Sequence, residues 1–287
     1  MAVYKNALSR KLSHDLYDYQ LTLLSSRIQD DSISTSYGRT HVIETGNISG
    51  RPLLLFHGGN MSAAFNLLLQ EYLFSDFHIY SVDIIGQPGK SDDVKGRHYH
   101  KTYGLWAAEV IEQLGFDRVL CHGLSFGAGI LIQLMSVSPE KVEKAVLEVP
   151  SAINNKMSGA LFQMALPLSL YQFTKKDSYL KKAAHIMTQS SFSKNEAFLA
   201  SLKDSFDHVK MKVKMPPNTS KAVLKDYKAP VLVIAAEKDC FFPSQHILPQ
   251  AKILLPHCNC YELKNRGHLH DLTDREKKML IRFLQNS

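Results

Sequence analysis

No stretch of the 287-residue sequence combines the length and the apolar character of a membrane span. The longest apolar runs, such as Val231–Ala236, have the length of a buried strand, whereas a spanning helix needs about 20 apolar residues. The N-terminal segment carries Arg10 and Lys11 before any apolar block could form, so it lacks the apolar region of a secretory signal. We therefore expect neither a membrane span nor a signal peptide.

Cysteine is also scarce, with four residues whose spacing does not fit a zinc site. Cys258 and Cys260 alternate in a predicted strand, so both side chains point to one face of the sheet. Their spacing suits buried thiols better than a disulfide, and free thiols are typical of a reducing compartment. Together with the missing signal, this predicts a cytoplasmic protein that holds no metal.

Basic residues are in excess, but they form no long basic block. The formal net charge is +7, and lysine and arginine are spread along the chain with small clusters such as Lys175–Lys176 and Lys181–Lys182. A nucleic-acid-binding arm would need a longer basic run, so we expect no nucleic-acid partner. The excess is typical of a solvated basic surface, while attraction to an acidic substrate or an anionic membrane is left open.

Short apolar runs alternate with helical patterns along much of the chain. Runs without polar–apolar alternation indicate strands buried on both faces, and strands that alternate with helices indicate a parallel sheet. We therefore predict an α/β protein with a mostly parallel, doubly wound sheet, in which ligands bind beyond the carboxyl ends of the strands. The predicted strands are 52–56, 77–83, 118–121, 144–149, 230–236 and 259–263, and the predicted helices are 62–74, 103–114, 127–137 and 274–285.

A segment of different character precedes this alternation of strands and helices, and a second segment interrupts it. The chain up to about Gln29 is predicted to be a polar, helical lead-in, and Ser32–Thr45 a strand or hairpin. After Pro150 the strands stop, and residues 151–225 contain helical patches of Leu, Met, Phe and Tyr instead. We interpret 151–225 as a helical insertion in a core formed by residues 1–150 and 226–287.

The segment Gly123–Gly127 reads Gly-Leu-Ser-Phe-Gly and matches the pattern G-x-S-x-G. It directly follows a predicted strand and opens a predicted helix, which is the setting that a nucleophilic serine needs. The turn is so tight that the residues two positions before and after Ser125 must be small, and it holds the hydroxyl out above the sheet. The N–H of Phe126 then lies at a helix N-terminus, where it can stabilise a developing oxyanion.

A second glycine-containing loop, His57-Gly58-Gly59-Asn60, follows the strand 52–56. Acyl transfer at a serine of this kind needs a second free backbone N–H from such a loop. Gly59 is the first candidate for that donor and Asn60 the second, because small residues let the backbone approach a substrate. His57 itself is interpreted as structural.

The acid and the base follow in chain order. Asp239 comes after the strand 230–236 and is predicted to orient an imidazole, with Glu237 and Glu148 as competing carboxylates. His268 follows a glycine in the loop after the last strand, and His270 is its rival. The order Ser125, Asp239, His268, each after a predicted strand, favours these three as nucleophile, acid and base.

With these motifs in place, the chain resembles the α/β-hydrolase superfamily, and its carboxylesterase-like members in particular. The resemblance extends from about Ser32 to the C-terminus, except for residues 151–225, which resemble the helical cap of many members. The segment Asp83–Ser91 is similar to the family's D-x-x-G-x-G-x-S loop, although Pro88 adds one residue between the glycines. That loop is mainly structural in the family.

The resemblance implies a serine hydrolase that cleaves a carboxylic ester, or a similar acyl compound, through an acyl-enzyme and without a cofactor. The apolar patches of the insertion favour a small, hydrophobic acyl substrate, although most of these side chains must serve the packing of the insertion itself. Alternatives on the same scaffold are a C–C bond hydrolase, a thioesterase and an acyltransferase. A non-enzymatic protein that binds a small molecule is a further alternative. The oligomeric state is not predicted.

Overall fold

A computed structural model describes residues 3–93, 102–156, 158–210 and 215–286. These residues form an eight-stranded sheet with the strand order β1-β2-β4-β3-β5-β6-β7-β8. The strands are β1 (Ile28–Thr35), β2 (Gly38–Gly46), β3 (Arg51–Phe56), β4 (Phe77–Val82), β5 (Val119–Leu124), β6 (Val142–Glu148), β7 (Val231–Ala236) and β8 (Asn259–Leu263).

The sheet is mostly parallel, as the sequence predicts. Strand β2 runs antiparallel to both of its neighbours, and the strands from β4 to β8 pair in parallel. Every residue of β5 and of β7 is buried, because helices cover both faces of the central sheet. The predicted mostly parallel, doubly wound α/β architecture is therefore confirmed.

Helices pack on both faces of the sheet, and each face has its own apolar core. On one face, Trp106, Ile130 and Ile247 pack against β5, β6 and β7. On the other face, Phe65 and Leu284 pack with Leu53 and Ile79. The helices are α1 (Ala7–Thr22), α2 (Ala63–Gln70), α3 (Thr102–Gln113), α4 (Phe126–Val137), α5 (Ala160–Thr174), α6 (Asp177–Thr188), α7 (Glu196–His208), α8 (Ser244–Leu254) and α9 (Asp274–Gln285).

Helices α5, α6 and α7 lie between β6 and β7 in the chain, within the predicted insertion. Side chains of these helices, among them Tyr171, Leu180 and Phe198, belong to the same apolar cluster as Leu53 of the sheet. The N-terminal helix α1 also contacts α7, since the Ser13 hydroxyl donates to Asp204 at 2.8 Å. The division at residues 151 and 225 stays a prediction.

Three details differ from the sequence-based predictions. The helical lead-in ends at Thr22, and the hairpin begins at Ile28, because the polar strand β1 lies at an edge of the sheet. Helix α8 was not predicted, since Pro249 lies inside it. Cys258 and Cys260 are half-buried rather than buried, and their sulfur atoms lie 3.5 Å apart as free thiols.

Within the described ranges, no helix combines the length and apolar character that crossing a bilayer would require.

Candidate active site

Strand β5 ends at Leu124, and helix α4 begins at Phe126, so Ser125 alone forms the turn between them. Its backbone has φ 54° and ψ −108°, a conformation that a residue with a side chain rarely adopts. The Ser125 N–H donates to the carbonyl oxygen of Glu148 at 2.9 Å, which fixes the turn to the end of β6. The hydroxyl is thereby held above the carboxyl ends of the parallel strands.

Both glycines of the Gly123–Gly127 motif are required by close backbone contacts. A Cβ at Gly127 would lie 2.2 Å from the carbonyl oxygen of Phe56, at the end of β3. A Cβ at Gly123 would lie 2.7 Å from the amide nitrogen of Ala128 in α4. Any side chain at either position would therefore push the helix or the neighbouring strand away from the turn.

The structure brings Ser125, His268 and Asp239 together, although they are far apart in the chain. The Ser125 hydroxyl lies 2.8 Å from His268 Nε2, and His268 Nδ1 lies 2.8 Å from Asp239 Oδ2. Because a carboxylate only accepts, Nδ1 carries the imidazole proton and Nε2 is free to accept from the serine. All three residues are buried, with 7%, 7% and 1% of their surface exposed for Ser125, His268 and Asp239.

The Asp239 carboxylate is fixed by the backbone that follows it. Its Oδ1 accepts from the N–H groups of Phe241 and Phe242, at 2.7 and 2.9 Å. This leaves Oδ2 for His268 and holds the carboxylate in one orientation. The rings of Phe241 and Phe242 also contact the imidazole edge-on, with centroids 4.8 and 5.6 Å from it. The segment Asp239–Phe242 therefore orients the imidazole through one carboxylate and two aromatic rings.

The loop that carries His268 is bonded to the C-terminal end of α6. The His268 N–H donates to the carbonyl oxygen of Met187 at 2.7 Å, and the Gly267 N–H donates to that of Thr188 at 2.8 Å. A Cβ at Gly267 would lie 2.3 Å from the Met187 oxygen, so a glycine is needed for this approach. The position of the histidine therefore depends on a helix of the predicted insertion.

The two N–H groups expected to bind an oxyanion are available. Among the described residues, neither the N–H of Gly59 nor that of Phe126 donates to a protein acceptor. A Cβ at Gly59 would lie 3.3 Å from Cβ of Phe126, and one at Gly58 would lie 3.9 Å from Cβ of Ser125. The glycine loop thus lies directly beside the serine turn.

The N–H of Asn60, the second candidate for the oxyanion donor, is already hydrogen-bonded within the protein. It donates to Gln87 Oε1 at 2.8 Å, so Gly59 is the better placed of the two. Gln87 lies in the Asp83–Ser91 loop, and its role was not predicted, because this bond depends on tertiary packing alone. His57 is fully buried and accepts from the Ile84 N–H through Nε2, as expected for a structural residue. Burial lowers the pKa of His57, so it stays neutral.

The rival residues Glu148 and His270 pair with each other instead. His270 Nε2 lies 3.0 Å from Glu148 Oε1, and His122 Nε2 lies 2.8 Å from Glu148 Oε2. Burial alone would raise the pKa of Glu148, but the hydrogen bond with His122 and the nearby His270 hold it well below its usual range. The other rival acid, Glu237, points to solvent and accepts from the N–H of Asn265 at 2.8 Å.

The Asp83–Ser91 loop has a structural role despite its additional proline. Asp83 is fully buried and accepts from the N–H groups of Ala63 and Lys90, both at 2.9 Å. Burial would raise the pKa of Asp83, but His41, 2.9 Å away, outweighs it and lowers that pKa. A Cβ at Gly89 would lie 2.3 Å from the Asp83 carboxyl carbon, so the second glycine is needed here.

A cavity of about 260 Å³ opens on Ser125 and His268, and most of its wall is apolar. Neighbouring it is a larger cavity of about 520 Å³, with Glu148 and His270 in its wall. Leu124 and Leu269 line both cavities. Among the described residues, no group of three or more His, Cys, Asp or Glu side chains could hold a metal ion. The apolar part of the first cavity includes Met61, Phe65, Leu69, Met164, Leu168 and Met187.

A family model described as the alpha/beta hydrolase fold matches residues 51–227, more than half of the chain. The chain belongs to the α/β-hydrolase family. The matched part of this α/β hydrolase contains the Gly59 loop and the Ser125 turn, whereas Asp239 and His268 lie beyond it. Their assignment therefore rests on the order of the motifs and on the geometry described above.

Individual relatives of this α/β hydrolase share only a low sequence identity with it. It is 26% identical to carboxylesterase YbfK of Bacillus subtilis over 275 residues, which cover 92% of this chain and 89% of the relative. It is 24% identical to an uncharacterized carboxylesterase, nap, of the same organism, over 89% of this chain and 86% of that one. The crystal structure of the carboxylesterase CesB (YbfK) superposes with a TM-score of 0.84 at 23% identity, covering 98% of this chain and all of that one.

Proposed function

We propose that this α/β hydrolase cleaves carboxylic esters through a covalent acyl-enzyme. The observation that carries the proposal is the chain of two 2.8 Å contacts from Ser125 through His268 to Asp239. A serine hydroxyl becomes a useful nucleophile when a base accepts its proton and a third group orients that base. The proposed roles are nucleophile for Ser125, general base for His268 and orienting acid for Asp239.

The proposed reaction proceeds in two halves. His268 accepts the proton of Ser125 as the serine attacks the ester carbonyl, and Asp239 stabilises the imidazolium that forms. The N–H groups of Gly59 and Phe126 stabilise the oxyanion, and His268 then returns the proton to the departing alcohol. Water, activated by the same imidazole, attacks the acyl-enzyme and releases the carboxylic acid, so that Ser125 regains its proton.

The proposed substrate is a small ester with an apolar acyl group. Methionine and leucine side chains such as Met164, Leu168 and Met187 surround the serine, and such flexible apolar side chains adapt to the shape of a ligand. The names of the relatives as carboxylesterases support ester cleavage over C–C bond hydrolysis, thioester hydrolysis or acyl transfer. A cytoplasmic location stays a prediction from the cysteine content and the N-terminal sequence.

Labelling with a fluorophosphonate, followed by intact-mass analysis, tests the proposal without knowledge of the natural substrate. We expect one adduct on the wild type and none on Ser125→Ala, while Ser49→Ala, an exposed serine, should label like the wild type. A series of 4-nitrophenyl esters with graded acyl chains then measures kcat/KM. Absence of the adduct, or an adduct that persists in Ser125→Ala, would refute the proposed nucleophile.

A further inference from the structure

Helix α5 is apolar on two opposite faces, although only one of them faces the protein. Its residues Leu161, Met164 and Leu168 line the cavity at Ser125. The opposite face carries Phe162, Leu166 and Phe173, of which 80%, 68% and 89% of the surface is exposed. A helix that is apolar all round is normally buried, so the outer face of α5 is a surface that fits a partner.

The three exposed side chains form one stripe. Positions 162, 166 and 173 are four and seven residues apart, so they project from the same side of the helix. Between them, Ser169 is also exposed and small. A groove of about 570 Å³ runs beside this stripe between α5 and α6, with Leu166 and Leu170 on one wall and Ile186 on the other. The stripe and the groove together form a continuous apolar surface, here named the α5 face.

Basic residues surround the α5 face. Lys175 and Lys176 follow the end of α5, and Lys181 and Lys182 lie on the exposed side of α6, where both line the groove. Residues 160–189 contain these four lysines and one acidic residue, Asp177, which pairs with Lys203 at 2.9 Å. Lys175 itself pairs with Asp207 at 2.6 Å, so Lys176, Lys181 and Lys182 carry the positive border of the face. An apolar stripe bordered by lysines is complementary to a surface of acyl chains below anionic headgroups.

We propose that the α5 face docks this protein onto the surface of an anionic lipid bilayer. The aromatic and leucine side chains enter the boundary between headgroups and acyl chains, and Lys176, Lys181 and Lys182 lie against the anionic headgroups. A protein partner of matching shape would need acidic groups opposite these three lysines, whereas a bilayer supplies negative charge along the whole border. The inner face of α5 lines the cavity at Ser125, so docking places that cavity next to the lipid.

Vesicle co-sedimentation of the full chain tests the proposal independently of catalysis. We expect binding to vesicles of phosphatidylglycerol and phosphatidylcholine, little binding to phosphatidylcholine alone, and a decrease with added salt. The double variants Phe162→Ser/Phe173→Ser and Lys181→Glu/Lys182→Glu should each weaken binding by about tenfold or more. Ile48→Ser removes a side chain that is 78% exposed in the turn before β3, and it should bind like the wild type.

Circular dichroism and fluorophosphonate labelling show whether each variant is folded, and exposed positions of this kind tolerate substitution. Equal binding to anionic and neutral vesicles, or unchanged binding of the two α5-face variants, would overturn the proposal. It would also be overturned if the wild type bound no vesicles. Concentration-dependent dimerisation of the wild type, lost in Phe162→Ser/Phe173→Ser, would assign the face to a second copy instead.

Discussion

Glu148 is the last residue of β6 and Asp239 follows the neighbouring strand β7, and both carboxylates are buried, yet they have different partners. Asp239 binds the imidazole that contacts Ser125, while Glu148 binds His122 and His270. The difference follows from the backbone: the two N–H groups after Asp239 fix its carboxylate toward His268. Both buried carboxylates thus contact histidines, and of these histidines only His268 reaches the serine.

The first prediction distinguishes Asp239 from its local rival. Asp239→Asn would present an amide to Nδ1 of His268 and favour the wrong imidazole tautomer, so kcat/KM should fall by about 10³–10⁴-fold. Glu237→Gln, two residues earlier and exposed, should change kcat/KM by less than about threefold, because only exposed contacts are altered. Steady-state kinetics on a 4-nitrophenyl ester measures both. Similar losses in the two variants would contradict the assignment.

The second prediction concerns the Glu148–His270 pair. His270→Gln leaves the buried carboxylate with a weaker partner, so the free energy of unfolding at pH 7 should fall by about 3 kcal/mol. The pKa of Glu148 is lowered in the folded protein, so its contribution is present above its unfolded pKa of about 4.3 and is lost as the pH falls. The difference in the free energy of unfolding between variant and wild type, measured by urea unfolding, should therefore shrink below pH 4.

His185→Gln provides the matched control, since His185 is exposed on α6 and should leave the unfolding free energy unchanged within about 0.5 kcal/mol. A His270→Gln protein as stable as the wild type at pH 7 would show that the pair contributes nothing to the fold.

The proximity of single residues could be predicted where it depends on strand order, while their roles stay proposals. Each proposed catalytic side chain follows a strand, and the carboxyl ends of parallel strands meet at one edge, so Ser125, Asp239 and His268 could be selected from the sequence. The hydrogen bond from the Asn60 N–H to Gln87 could not be predicted from the sequence, because it joins two loops whose approach depends on packing. The sequence ranks Gly59 above Asn60 on the size of the residue alone, whereas the structure adds the bond that occupies the Asn60 N–H.

At the scale of elements, strands buried on both faces are the easiest to predict. β5 and β7 consist of apolar runs without alternation, and the sequence predicts both within a few residues. The edge strand β1 contains two aspartates and no buried residue, so the sequence analysis misplaced its N-terminal limit. Helix α8 has Ile247, Ala251 and Leu254 at helical spacing, a signal that would have predicted it despite Pro249.

The third prediction tests the contact between α6 and the histidine loop. Gly267→Ala places a Cβ against the backbone of Met187 and Thr188, so the loop must shift and His268 with it. We expect kcat/KM to fall on the order of 10–100-fold, because small displacements of a catalytic group are costly. Gly159→Ala, also before a helix of the insertion, meets nothing within 4 Å and should keep wild-type activity.

Kinetics and circular dichroism separate a displaced histidine from an unfolded protein. Full activity in Gly267→Ala would show that the loop does not depend on α6 for its position.

At the scale of the whole molecule, helices α5, α6 and α7 share an apolar cluster with the sheet. Phe198 of α7 is fully buried and stacks on Phe65 of α2 with ring centroids 6.3 Å apart. Leu53 and Ile79 of the sheet belong to the same cluster. Because side chains of the two parts fill one another's gaps, neither can lose its packing without exposing apolar surface of the other.

The fourth prediction follows from this shared cluster: the chain unfolds in one cooperative step. Trp106, the single tryptophan, is fully buried against the opposite face of the sheet and reports on the core, while far-ultraviolet circular dichroism reports on all helices. Phe198→Ala should lower the free energy of unfolding by about 3–5 kcal/mol and shift both urea transitions equally. If α5–α7 unfolded independently, the circular dichroism transition would move alone and the Trp106 fluorescence transition would stay at its wild-type midpoint.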